Sequence, residues 1–385
     1  MNQSFDVLIV GGGIVGLSAA IGMRLRGYSV AVIDAGALST DAQANDTRVY
    51  AINQASERLL TNLGAWPNIE PSRLSPYRQM HVWDAANKAC IDFDARMIGA
   101  ARLGLIVQES VIKNALLIKA FELDITFFPN TRIESVQTTE KDIILTAQDK
   151  NWEANLLIVA DGAQSVTRQM LNVPITTWPY HQQAIVATIG TEKPHQETAY
   201  QVFNTHGPLA FLPLTDSHQC SIVWSTSTAH AQALMVLSDD DFATELTAAF
   251  SEKLGRCAVL SRRQQFPLHM RHVERYSGTN WLIMGDAAHT IHPLAGLGLN
   301  VGLADLNAWL TNIDAAKSKR WSSKMLGAYQ RQRKSAVWQT IAMMSGLKTM
   351  FSNPTRPFVT LRGLGLNACN QLSPLKRLFI EHASK

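Results

Sequence analysis

The run Gly11-Gly12-Gly13-Ile14-Val15-Gly16 has the spacing G-x-G-x-x-G, and an acid, Asp34, follows at the end of the next apolar run. Residues of these types can hold a dinucleotide. Gly11 makes a tight turn, Gly13 lets backbone approach a pyrophosphate, and Gly16 lets a helix lie close to a strand. The pyrophosphate would face a helix N-terminus opened by Ile14 and Val15, which carries roughly +0.5 of a charge. Asp34 can accept hydrogen bonds from ribose hydroxyls and disfavours a 2′-phosphate. The pattern does not separate FAD from NAD. Two later patches repeat the logic of an apolar strand ending in an acid. One is Asp161-Gly162, with Arg168 beyond. The other is Gly285-Asp286, followed by a glycine-rich stretch through Pro293, Gly296, Leu297 and Gly298 to Leu299 and Asn300. Read as plain structure, Asp161 would be a helix N-cap and the glycines ordinary turns.

These residues need elements to position them. Apolar runs at 5–10, 29–33, 156–160 and 281–284 read as buried strands, and 14–27 reads as the helix after the first. Helices are also expected at 55–63, 108–121, 239–253, 299–313 and 321–350, with Ser238 or Asp239 capping the third of these. Residues 77–93 alternate like a hairpin with a turn near Asn87. From 184 to 225, β-formers separated by turn residues point to an antiparallel sheet built as a separate lobe. The expected fold class is α/β: a Rossmann-like nucleotide domain, a discontinuous mixed β-sheet lobe and C-terminal helices. The division reads 1–76, 102–178 and 275–350 for the nucleotide domain, 77–101 and 179–274 for the lobe, and 351–385 for a basic helical region.

With 385 residues, 46% apolar and 17% charged, the chain can bury a sizeable core. No apolar run approaches the ~18 residues of a membrane span, and the N-terminal residues lack a signal-peptide pattern. Four scattered cysteines without a C-x-x-C pair suggest a reduced, cytoplasmic protein. His289/His292 and His269/His272 have ligand-like spacing but no third partner, so no metal is expected. No zinc-protease, serine-hydrolase or Walker motif occurs, and no nucleic-acid module accompanies the Arg pairs. Charge is uneven: residues 317–385 hold 13 Lys and Arg against one acid, a net +12, while the other 316 residues hold 22 against 30, a net −8. Such a tail suits an anionic partner surface or a set of solvated helix faces.

Three separated motifs in this order resemble the FAD-dependent aromatic hydroxylases of para-hydroxybenzoate hydroxylase type, and more closely the ubiquinone-biosynthesis hydroxylases of the UbiH/UbiF/UbiI group. The resemblance covers nearly the whole chain and includes the stretches 47–52, 63–66, 82–84, 93–95, 103–108 and 207–214. It implies FAD as resident cofactor and NADPH or NADH as transient reductant, which fits the single dinucleotide fingerprint. It implies hydroxylation of a polyprenylated phenol by O2 through a flavin C4a-hydroperoxide. It assigns the pyrophosphate to Gly11, Gly13 and Gly16, and the adenosine ribose to Asp34. Arg48 and Gln108 take the ribityl–pyrophosphate or ribose region, beside Asp161-Gly162. Asp286 takes the ribityl chain or pyrophosphate, Pro293 abuts the isoalloxazine, and backbone from Gly296 to Asn300 meets the flavin ring. Leu297 stands where the family has Gln. Pro208, Phe211, Leu212 and Pro213 are candidate substrate contacts. No general base is identified; His206, His218 and Tyr50 are candidates by polarity alone. The substrate would reside in a bilayer, so a peripheral place at the inner membrane, or in a ubiquinone-biosynthesis complex, follows from the resemblance. Another flavoenzyme of the fold (a reductase, or a halogenase, for which the Trp-x-Trp-x-Ile motif is missing) or a non-catalytic FAD-binding scaffold is the alternative.

Overall fold

A computed structural model describes residues 3–39, 47–291, 296, 298–316, 321–353 and 355–383. Pro293 and Leu297, with His292, lie outside the described residues.

The first sheet is built around parallel strands. Gln3–Val10 pairs with Val30–Ile33 on one side and Lys150–Val159 on the other. Thr126–Phe128 extends the sheet beyond Val30–Ile33, and Trp281–Ile283 beyond Lys150–Val159. The central strands are buried on both faces, which is why they read as unbroken Val/Ile/Leu runs. Helix Ile14–Arg24 covers one face and ends earlier than the apolar pattern predicts. Gly27 stops the continuation with φ of +82°, a conformation that favours glycine.

A nine-stranded mixed sheet forms the lobe, in the order His289–Thr290, Gln264–Val273, Ile175–Thr191, Gln219–Ser227, Gly207–Pro213, Thr198–Asn204, Gln79–Asp84 and Cys90–Asp94, with Cys257–Val259 added beside Ile175–Thr191. One face packs on helix Asp239–Ala249, capped by Ser238, through Phe211, Trp224, Phe242 and Phe250. A smaller antiparallel sheet, with Gly104–Gln108 between Val49–Asn53 and Ser75–Tyr77, adds further strands.

The C-terminal part is helical: Gly298–Ala316, Ser323–Ser352, Arg356–Gln371 and Ser373–Ala383. Its apolar residues split in two. Met344 and Phe351 are buried against Val82, Ile91 and Phe203, with Leu347 packed beside them. Met343, Met350, Phe358, Leu361, Leu364, Leu378 and Phe379 are exposed. Two of the tail's cations are also internal. Arg362 donates from Nε to Asp84 at 2.6 Å and from Nη1 to three backbone carbonyls, and Arg333 pairs with Asp305. The +12 of the sequence therefore overstates the charge this region presents to solvent.

Candidate active site

The carboxyl ends of adjacent parallel strands bring the three motifs together. Gly11 N–H donates to Ile33 O, Ala160 N–H to Val10 O, and Met284 N–H to Val159 O, so the loops leave the sheet side by side. That edge is where open α/β sheets bind ligands. A cavity of about 920 Å³ opens there, at the upper end of the usual size for a small-molecule or cofactor site. Gly11, Gly13, Ile14, Val15, Asp34, Arg48, Asp161, Gly162, Asp286, Gly296, Gly298 and Leu299 all line it, and from the lobe so does Leu212.

The glycines of the first loop do different work. A Cβ on Gly16 would lie 1.9 Å from Gly11 O, and one on Gly11 would lie 2.3 Å from Ala160 O. Those two are demanded by the protein's own packing. A Cβ on Gly13 would meet nothing within 4 Å, and its φ of −78° suits any residue. Gly13 leaves open space on the cavity at the N-terminus of Ile14–Arg24, where a pyrophosphate could approach the backbone. Asp34 braces the loop from below, its carboxylate accepting from the Gly12 N–H at 2.5 Å and the Gly36 N–H at 2.7 Å.

Asp161 is not the N-cap of the helix that follows; Ser165 is, accepting from the Arg168 N–H. Asp161 Oδ2 accepts from the Thr167 N–H at 3.2 Å, while Oδ1 is buried with no partner among the described residues. A buried acceptor left unpaired is costly, and this one sits on a residue that lines the cavity. Asp286 lines the cavity and is exposed to it. Desolvation by the protein packed around the turn raises its carboxyl pKa, against the pull of His289, Arg48 and Arg271. Its turn is held from behind: Asp305, fully buried on Gly298–Ala316, accepts from the Gly285 N–H at 2.9 Å, from His289 Nε2 at 2.6 Å and from Arg333 Nε at 2.6 Å. The open space at Gly13, the orphan oxygen of Asp161 and the cavity-facing Asp286 together fit an FAD.

Several expected residues lie elsewhere. Gln108 is outside the cavity wall and accepts from Arg73 Nη2 at 2.6 Å. Asn300 ties its helix to strand Val49–Asn53, donating to Ala51 O and accepting from the Asn53 N–H. Phe211 is completely buried on the opposite face of the lobe sheet, stacked 3.7 Å from Phe250, and Pro213 shares that face. Strand alternation allows only Pro208, Ala210 and Leu212 to face the other way, and of these Ala210 and Leu212 reach the cavity. His206 and His218 are exposed at turns of the lobe, away from the cavity. Tyr50 does line it, but burial, helped by Glu109, raises its phenol pKa and so disfavours the phenolate that a base would need. Lys113, Arg132, Tyr77, Met80, Ala199 and Gln201 line the cavity without any motif to announce them. Of the histidines weighed for metal, His289 is engaged by Asp305. His81, Cys90 and Asp92 instead bring ligand atoms within 4.8 Å of one another across the Gln79–Asp84/Cys90–Asp94 hairpin, on the lobe face away from the cavity.

A family profile described as an FAD binding domain matches residues 4–344. The chain is 32% identical to the zebrafish mitochondrial ubiquinone biosynthesis monooxygenase COQ6, covering all of this chain and 90% of that protein. It is 33% identical to the 3-demethoxyubiquinol 3-hydroxylase of Escherichia coli, covering 99% of each. Among solved structures, the p-nitrophenol 4-monooxygenase PnpA of Pseudomonas putida superposes with a TM-score of 0.82 over all of this chain and 99% of that one, at 16% identity. PqsL of Pseudomonas aeruginosa, in complex with 2-aminobenzoylacetate, superposes with a TM-score of 0.78 over 91% of this chain and 97% of that one, at 21% identity. At such identities the structural likeness speaks to fold.

Proposed function

Because the chain belongs to the family of FAD-binding-domain proteins, we propose that it is a flavin monooxygenase that hydroxylates the aromatic ring of a polyprenylated phenol on the route to ubiquinone. The single observation that carries this reading is the shared cavity, which has glycine-rich strand-end loops on one side and a largely apolar sheet wall on the other. Full-length likeness to a 3-demethoxyubiquinol 3-hydroxylase supports the substrate class.

Each residue's part follows from its position. Backbone from Gly11 to Val15 takes the pyrophosphate, Asp34 the ribose, and Asp161 and Asp286 take hydroxyls of the cofactor. Gly296, Gly298 and Leu299 offer backbone to the ring, and N–H groups at a helix start stabilise negative charge there by about 0.3–2 kcal/mol. When bound, the flavin passes electrons from NADPH or NADH to O2. The reaction balances as phenol, O2, NAD(P)H and a proton giving the hydroxylated ring, water and NAD(P)+. The lobe wall of Met80, Ala199, Ala210, Leu212 and Val223 keeps water from the reacting ring.

Quinone intermediates of a deletion strain test this directly. The strain should accumulate a precursor lacking one ring hydroxyl, and the wild-type chain should clear it. An unchanged quinone profile would overturn ring hydroxylation. A yellow protein that NAD(P)H cannot bleach, with or without phenol, would favour a scaffold.

A bilayer-resident phenol must be met at a membrane surface, and the C-terminal helices are suited to that. No helix among the described residues is long and apolar enough to cross a membrane. Phe358, Leu361 and Leu364 recur every three residues on Arg356–Gln371 and are exposed, as are Leu378 and Phe379 beside Arg377. Each basic residue near an anionic surface contributes about 1 kcal/mol, screened by salt, and inserted apolar groups add a salt-independent part. Flotation should require anionic liposomes, fall at high salt, and weaken further in Leu361→Ser/Leu364→Ser. Equal binding to neutral liposomes, or none to either, rejects electrostatic docking.

A further inference from the structure

Around Met80, Ala199, Ala210, Leu212 and Val223 the lobe wall of the cavity is apolar but for Gln201, and Thr290 adds a hydroxyl at the far edge of the same sheet. Gln201 lies on strand Thr198–Asn204, opposite Ala210 on one neighbouring strand and Val82 on the other. Its neighbours Tyr200 and Val202 point into the cluster around Phe211 and Phe250, so alternation turns Gln201 to the cavity. The residue is 6% exposed, and its carboxamide has no hydrogen-bond partner among the described residues. It is not among the sealed polar groups of the interior, so its polar atoms reach the cavity. A carboxamide offers two donors and an acceptor, and burying it unpaired is unfavourable. Ala199 and Ala210, both small, flank it on the same wall and leave room for a flat group.

We propose that Gln201 is the specificity-determining contact for the substrate's ring oxygen. A phenol hydroxyl donates to its Oε1, or a ring oxygen accepts from its Nε2–H, and this contact fixes which ring carbon is presented for hydroxylation. The ligand class is an oxygenated aromatic ring whose apolar chain runs along Met80, Leu212 and Val223. The assignment rests on the hydroxylase reading above. It adds to that reading the residue that selects and orients the ring, because an apolar wall alone cannot strongly distinguish ring oxygens, whereas a buried polar group can.

The test uses FAD-loaded wild type and Gln201→Met, titrated with a short-chain prenylated phenol and with its analogue lacking the ring hydroxyl. Binding is read from the perturbed flavin absorbance, and coupling from hydrogen peroxide formed per NAD(P)H consumed. Wild type should bind the phenol about tenfold more tightly than the analogue, the size of one hydrogen bond to a buried group. Gln201→Met should keep its FAD, lose that preference and release more peroxide. Gln201→Asn, with the same amide on a shorter stem, should keep part of the preference and alter the position hydroxylated. A Met variant that retains the preference and the coupling overturns the assignment. One that sheds FAD also overturns it, by placing the amide on the cofactor. A wild type that binds no phenol defeats the hydroxylase reading and this assignment together, whereas phenol binding unaffected by Gln201→Met defeats this assignment alone.

Discussion

Gly13→Val should give a folded, colourless protein, while Gly16→Val should give little folded protein at all. The contrast comes from what a side chain would meet. At Gly13 the space is empty and φ is ordinary, so valine fits the chain, at a helix-cap cost of about 0.5–1 kcal/mol. The isopropyl group would then occupy the room that backbone leaves for a pyrophosphate. Hydrogen bonds to a charged group contribute about 1.5–3 kcal/mol each, so losing two weakens FAD binding by about 3–6 kcal/mol, a hundredfold or more. At Gly16 a Cβ 1.9 Å from Gly11 O must drive the helix off the strand. Circular dichroism and melting of the FAD-free forms separate fold from cofactor, since bound FAD would itself raise the melting temperature. A yellow Gly13→Val protein, or a Gly16→Val protein as stable as wild type, would show that the loop is not the cradle described.

That Gly11, Asp34, Asp161 and Asp286 meet at one cavity was legible because each lies within a few residues of the strand end that positions it. The strand, the turn and the acid form one local pattern. Gln201 and Met80 carry no such pattern. They reach the cavity only because strands Gln79–Asp84 and Thr198–Asn204, far apart in the chain, lie parallel in one sheet. Phe211 shows a subtler limit. The alternation of its strand is plain in the sequence, but which parity faces the cavity depends on where helix Asp239–Ala249 packs. Asn300 sits among cavity-lining glycines, yet its amide is spent on Ala51 and Asn53, residues 249 and 247 positions away. The basic tail reads as one charged block because a sequence does not reveal that Arg362 will meet Asp84 across 278 residues. Local chemistry was readable; pairing across the fold was not.

Asp305 is the other position where one substitution should have a large effect. Its carboxylate is completely buried and accepts from a guanidinium, an imidazole and a backbone N–H. Burial alone would raise its pKa, but His289 and Arg333 outweigh burial and hold it below the ordinary carboxylate value. Asp305→Ala leaves Arg333 buried without its counter-ion, and breaking such a pair costs about 3–5 kcal/mol. Urea unfolding of the FAD-free protein should register that loss as a lower midpoint with a similar slope. Asp305→Ala/Arg333→Met should recover part of it, since the orphaned charge is gone. The pH dependence has a fixed sign. A carboxyl whose folded pKa is depressed stabilises the fold above its unfolded pKa of about 3.9, and that contribution disappears as pH falls through the lower folded value. Wild type should therefore lose stability across that acidic window more steeply than Asp305→Ala. The same carboxylate anchors the Gly285 N–H, so the variant should also release FAD more readily, because the turn bearing Asp286 has lost its rear support. A variant within about 1 kcal/mol of wild type, with the same acid limb and the same flavin retention, would mean that the network beneath Asp286 neither holds the fold nor sets the site.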